Sequence, residues 1–166
     1  ERLHAASRQR AYMGTFVVSS GSDMAASKIW HVCDGVQQME RIETLTGTPR
    51  TTLRRNDEVR TFVPDQRLVL QERREALRFF PDLLNASNQR IESFYSARLV
   101  GSERVAGFDA TVVDFVPNDT LRHAYRIWSE KQTGLMLKMQ TRSIEGRVLE
   151  QVAFTKLQLN APVRMD

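Results

Sequence analysis

The sequence predicts a mainly β (α+β) domain, a strongly curved antiparallel sheet whose apolar side is partly roofed by short helices. Three observations predict it. β-branched and aromatic residues alternate with polar ones in run after run, which suits strands with one covered face. Turn residues separate those runs at intervals of roughly 10 to 14 residues, near the spacing of all-β sheets. One stretch, Glu72 to Ser96, breaks the rhythm and carries apolar residues at helical spacing.

Taken in order, Glu1 to Arg10 reads as the end of a helix. Tyr12 to Val18 is aromatic and β-branched, hence a strand, and Ser19-Ser20-Gly21-Ser22-Asp23 turns the chain. Lys28 to Cys33 is a second strand, ended by the hairpin signal Asp34-Gly35. Val36 to Leu45 is a third, more polar strand. Short strands follow at Thr51 to Arg55, Val59 to Val63 and Arg67 to Gln71, with Asn56-Asp57 and Pro64-Asp65 between them. Within Glu72 to Ser96, Pro81-Asp82-Leu83-Leu84 looks like a helix start, and Ile91, Phe94 and Tyr95 recur at helical spacing. Beyond it, Leu99-Val100 enters a loop at Gly101 to Gly107. Phe108 to Val116 and His123 to Glu130 alternate as strands. In Leu135 to Arg142 the residues Leu135, Leu137 and Met139 are expected to share one face, and Met136, Lys138, Gln140 and Arg142 the other. Arg147 to Leu159 completes the meander.

Composition narrows the function classes. The 166 residues suit one domain, 41% are hydrophobic and 27% charged, which is globular composition. No apolar run reaches the roughly 18 residues of a spanning helix. The single cysteine, Cys33, rules out an intramolecular disulfide. The net charge is +4, and 20 of the 24 basic residues are arginine. Guanidinium groups match carboxylate and phosphate, so an anionic partner fits. The basic residues are scattered along the chain, without the basic stripe and interleaved aromatics of a nucleic-acid binder.

Residue supply argues against catalysis. His4, His31 and His123 stand apart, with no His-Glu-x-x-His run, so neither a metal nor a cofactor is expected. The glycines read as single turn residues, Ser19-Ser20-Gly21-Ser22 lacks the flanks of a nucleophile elbow, and the acidic pairs suit solvated turns. His31 and His123 read as satisfied strand histidines. Trp30 and Trp128 each sit opposite the cleaner apolar register of their strands, which leaves a binding role open. A curved sheet with a partial roof leaves a concave apolar surface. Trp30, Phe62, Leu77, Phe79, Phe80, Phe94 and Tyr95 are the candidates to line it, and Arg73, Arg74 and Arg78 to meet an anionic head group or acidic partner.

An ordered set of strings then points to a family. Tyr12-Met13-Gly14-Thr15-Phe16-Val17, Ile29-Trp30-His31-Val32-Cys33-Asp34-Gly35 and Asn56-Asp57-Glu58-Val59 come first. Phe62-Val63-Pro64-Asp65, Gly101 to Gly107, Tyr125-Arg126-Ile127-Trp128, Thr133-Gly134-Leu135 and Glu150 to Thr155 follow. In order and spacing they resemble the N-terminal domain of the RseB/MucB regulators of envelope stress. The resemblance implies a half-barrel closed by helices, like the lipoprotein carriers LolA and LolB, and a periplasmic location. It implies binding to the periplasmic part of an RseA/MucA-type anti-sigma factor, with release by lipid or lipopolysaccharide. It makes residues 1–166 a single N-terminal domain, without the family's smaller C-terminal domain. A periplasmic lipid or lipoprotein carrier is the alternative that the same fold allows.

Overall fold

A computed structural model describes residues 11–33, 37–56, 58–63, 68–73 and 94–160, the stretch 68–73 by its backbone. The expected N-terminal helix end and most of the expected roof, residues 74–93, lie outside the described residues. Eleven strands are described: β1 Tyr12–Ser20, β2 Asp23–Cys33, β3 Gln38–Thr44, β4 Thr51–Arg55, β5 Glu58–Val63 and β6 Leu68–Arg73. β7 Tyr95–Val105, β8 Phe108–Pro117, β9 Ala124–Glu130, β10 Met136–Arg142 and β11 Val148–Leu159 complete them.

All eleven form one curved, unclosed sheet in the order β6-β5-β4-β3-β2-β1-β11-β10-β9-β8-β7. Every adjacent pair is antiparallel. The first and last strands therefore meet in the middle of the sheet, and hairpins run outward from them on both sides. β6 and β7, neighbours in sequence, end up as the two edges.

Two expectations around the edges are corrected. Glu72 and Arg73 belong to β6, and Tyr95 and Ser96 to β7, so both ends of the expected helical stretch Glu72 to Ser96 are strand. Tyr95 pairs with Pro117 and Ser96 with Val116, and that ladder overrides the helical spacing of Ile91, Phe94 and Tyr95. The expected loop from Gly101 is also strand. β7 runs through to Val105, and Ala106-Gly107 alone turns the chain into β8. Both turn residues have positive φ, 51° and 84°, as a two-residue turn matching the strand twist requires. A Cβ on Gly107 would meet nothing within 4 Å, so its cost is backbone strain alone. Gly107→Ala is expected to destabilise the domain by about 1 kcal/mol, read as a lower urea midpoint with an unchanged slope.

Register irregularities fall on one side of the sheet. β1–β11, β11–β10, β10–β9 and β7–β8 each contain a shift, whereas the described pairs from β1 to β6 contain none. Bulges bend a strand and increase its twist, so they supply local curvature here. The shift between Met136 and Lys138 has a second effect. It breaks the expected alternation of Leu135, Leu137 and Met139. Met136 and Met139 join the main core with Tyr12, Phe16, Ile127 and Val152. Leu137 packs instead with Ala110, Val112 and Trp128. An extra residue in one strand reverses the side on which its neighbours emerge, so Leu135, Met136 and Leu137 are all buried.

Candidate functional site

Three surfaces carry the polar and aromatic chemistry. The first is a buried row across the core face. Tyr12 pairs with His31, His31 with Glu40 and Glu40 with Arg54, so the four residues stand side by side on β1 to β4. The imidazole of His31, 1% exposed, stacks on the Tyr12 ring with centroids 4.8 Å apart. Its Nε2 lies 3.8 Å from Glu40 Oε1, and Arg54 Nη1 lies 3.6 Å from Glu40 Oε2. A carboxylate this deep needs a cation beside it, and Arg54 supplies one. A one-residue slip of β3 would take Glu40 out of this row, so the row helps to hold the register. His31 is thus the satisfied strand histidine that its sequence context predicts.

The second surface is the opposite face of β1 to β5. Met13, Trp30, Arg41, Leu53 and Arg60 form one transverse row there, and Lys28, Glu43, Thr51 and Phe62 form the next. Trp30 is half-buried, with the Arg41 guanidinium carbon 5.4 Å from its ring centroid, and Arg41 also pairs with Glu43. Leu53 is 48% exposed and Phe62 46%. Trp30 and Phe62 therefore share a face, three strands apart, with Leu53 between them. Alternation would turn Leu53 inward between Thr52 and Arg54, yet Thr52 is buried and Leu53 exposed, because Arg54 is drawn to the buried Glu40 on the core face.

The aromatic candidates at the other end of the sheet do not join this pair. Tyr95 opens β7 on the core-face side, beside Tyr125 at 5.8 Å, and its hydroxyl donates to His123 O at 3.0 Å. Burial, then the neighbouring Tyr125, pushes the Tyr95 phenol above its ordinary range. Phe94 precedes it and is exposed, with the Arg122 guanidinium 3.7 Å from its ring centroid. Leu77, Phe79, Phe80, Arg74 and Arg78 lie outside the described residues. Arg73 ends β6 opposite Glu58.

The third surface is the opposite face of β8 to β10, where Ala110, Val112, Trp128 and Leu137 form a second core. Trp128 is 2% exposed, so the open binding role considered for it is corrected. Its indole nitrogen donates to Glu103 Oε2 at 2.6 Å, and Lys138 Nζ sits 4.4 Å from its ring centroid. Two residues along, Arg126 grips Asp114 with both Nε and Nη2, at 2.6 and 2.9 Å. That hydrogen-bonded guanidinium holds the Asp114 carboxyl below its ordinary range against the opposing effect of burial. A depressed carboxyl contributes stability above its unfolded value of 3.8 and loses it as pH falls through the folded value. Asp114→Asn is accordingly expected to cost about 2 kcal/mol at pH 7. The difference between parent and variant should shrink in urea melts taken progressively below pH 3.8.

Among the described residues no group of His, Cys, Asp and Glu could hold a metal ion, and no helix is long and apolar enough to cross a membrane. The profile of the MucB/RseB N-terminal domain matches residues 1–166. The chain belongs to the MucB/RseB N-terminal domain family. It is 32% identical over 170 residues to the "Sigma factor AlgU regulatory protein MucB" of Pseudomonas aeruginosa, covering 99% of this chain and 51% of that protein. It is 24% identical to the "Sigma-E factor regulatory protein RseB" of Haemophilus influenzae, covering 92% of this chain and 49% of that one. The chain thus spans about half the length of the curated relatives it matches. Among solved structures, the Pseudomonas aeruginosa MucA/MucB complex superposes with a TM-score of 0.81 at 27% identity, over 99% of this chain and 56% of that chain. The mycobacterial lipoprotein LppX shares the fold at 9% identity and a TM-score of 0.58, over 99% of this chain and 94% of its own.

Proposed function

We propose that this MucB/RseB domain is a regulatory binding module and not an enzyme. In the periplasm it takes the periplasmic part of an RseA/MucA-type anti-sigma factor, and lipid or lipopolysaccharide modulates that binding. The observation that carries the reading is the likeness to MucB along nearly the whole chain, including MucB solved together with MucA. The chemistry agrees: half-buried and exposed apolar side chains alternate with guanidinium groups on an open sheet face, as at Trp30, Arg41, Leu53 and Arg60. Such a face offers apolar contact and anion recognition together.

The experiment is native mass spectrometry of the chain with and without the periplasmic segment of Pseudomonas aeruginosa MucA. A one-to-one complex is the expected result, and its absence under conditions where both species are folded overturns the reading. For lipid, an acyl-chain site at Leu77, Phe79 and Phe80 is proposed, with Arg73, Arg74 and Arg78 meeting the head group. Trp30 and Phe62 lie on the face opposite the core and Tyr95 on the core face, so the single lining expected of them together with Phe94 is corrected and they are left out of this site. Phe79→Ser with Phe80→Ser should weaken binding of a fluorescent acyl probe about tenfold without changing the thermal midpoint. Head-group binding should weaken as salt rises. Unchanged affinity in the double variant removes the acyl-site assignment.

A further inference from the structure

We propose that Arg98, Arg126 and Arg142, grouped around Asp114 on the face opposite the core, receive an acidic side chain from an apolar-and-acidic segment of a bound protein. The cross-strand pairs Gln151–Gln140, Gln140–Arg126, Arg126–Asp114 and Asp114–Arg98 place Asp114 between Arg98 and Arg126 in one row over β11, β10, β9, β8 and β7, and Arg142 pairs with Ala124 in the next. Asp114 takes Arg126 on both oxygens and Arg98 Nη2 on Oδ2 at 3.4 Å. Arg142 ends β10 and donates Nε and Nη2 to the neutral Gln140 Oε1 at 3.0 and 2.5 Å. Gln140 is in turn fixed through its amide nitrogen, which donates to Gln151 Oε1 at 2.8 Å. Three cations thus stand around Asp114, with Glu103 as the second carboxylate near Arg126, and the hydrogen bonds described for Arg142 go to an amide.

That leaves positive charge in excess on partly buried Arg126 and Arg142 and on exposed Arg98. Burial, then the like charge of Arg126, holds Arg142 below the ordinary guanidinium range. Arg142 feels the Asp114 charge but hydrogen-bonds to an amide, so an incoming carboxylate, taken in the plane of its guanidinium fork, would stabilise it. The surroundings identify the occupant. Val148, paired across from Arg142, is 45% exposed, and Ile144 in the following turn is 66% exposed. Val116 lies at the same end of the sheet and is also exposed. Arg98, 73% exposed on edge strand β7, leaves the row open at its side. An acid flanked by apolar side chains matches this pattern of charge and exposed hydrocarbon. The site takes the proposed protein-binding role as its context, and the test below does not depend on that role.

The probe is a capped hexapeptide of alternating leucine and glutamate, with its glutamine counterpart as the neutral control. The chain is labelled with ¹⁵N, and the side-chain Nε–Hε signals of Arg98 and Arg142 are followed by NMR. Both signals are expected to move with the glutamate peptide and to stay with the glutamine peptide, and the shift should fall as salt rises. Arg142→Gln should weaken the glutamate peptide about tenfold, with the thermal midpoint reporting that the fold persists. Arg147→Gln, in the exposed turn, should bind as the parent does. If neither signal moves, or if both peptides move them equally, the site is overturned. A MucA segment that binds parent and Arg142→Gln alike overturns the site while leaving the proposed function intact. A MucA segment that fails to bind the parent does the reverse, provided the glutamate peptide still moves Arg142.

Discussion

Trp128→Ala is expected to lower the unfolding free energy by about 4 kcal/mol, the range of a large aromatic removed from a packed interior. The indole is 2% exposed and packs with Ala110, Val112 and Leu137 in the second core. Truncation would empty that volume. It would also take the donor from Glu103 Oε2, now 2.6 Å away, and the ring from beneath Lys138. For a domain of this size the loss corresponds to a fall in thermal midpoint of about 8 to 16 °C. Trp128→Phe separates the two contributions. It keeps much of the packing and loses the hydrogen bond, so a cost of about 1.5 kcal/mol is expected. Urea melts of the three proteins check the ranking. A Trp128→Ala variant as stable as the parent would mean that the opposite face of β8 to β10 is not a core.

Gly14→Val is expected to destabilise the sheet by about 3 kcal/mol or more, enough to remove a large part of the stability of an ordinary domain. Gly14 lies in β1 opposite Leu157, immediately before the shift in pairing between Thr15 and Phe16. A Cβ there would stand 2.5 Å from the backbone oxygen of Lys156 and 3.0 Å from two ring carbons of Phe154. The ring has some freedom, but the backbone oxygen belongs to the β1–β11 ladder at the centre of the sheet. Gly14→Ala should already cost about 1 to 3 kcal/mol. The contrast with Gly107→Ala is informative. There φ is positive and the space is open, whereas at Gly14 the penalty is contact with β11. Pairing the Gly14 variants with Phe154→Leu should recover the part of the loss due to the ring and none of the part due to the backbone. Full recovery would show that the close approach of the Lys156 backbone oxygen plays no role.

Much of the architecture was legible because its signals are local. Tyr12 to Val18 and Lys28 to Cys33 read as strands from β-branched and aromatic residues, and both are strands. Gly21 and Gly146 read as turn residues, and both have positive φ in turns. The helical spacing of Phe94 and Tyr95 misled because a pair of aromatic residues fits either period, and pairing with β8 decided the matter. The candidate site was less legible. Trp30 and Phe62 stand out in the sequence by size and aromaticity, which carry no information about the face of a sheet. Arg98, Asp114, Arg126 and Arg142 are spread along four strands, and no local pattern marks them as neighbours.

What the residue order determined by itself is the β character of the chain, the places where it turns and its membership in the MucB/RseB family. Strand propensity, alternation and turn chemistry act over a few residues, and the family strings keep their order along the chain. Tertiary structure alone decided that β1 and β11 meet in mid-sheet, where Thr155 Oγ1 donates to Thr15 O across 140 residues. It also decided that β8 to β10 are covered on both faces and that Leu137 turns away from Met139. Alternation says that a strand has two sides. Which side meets a core depends on bulges and on strands paired at a distance, and these are settled only when the whole sheet closes its ladders.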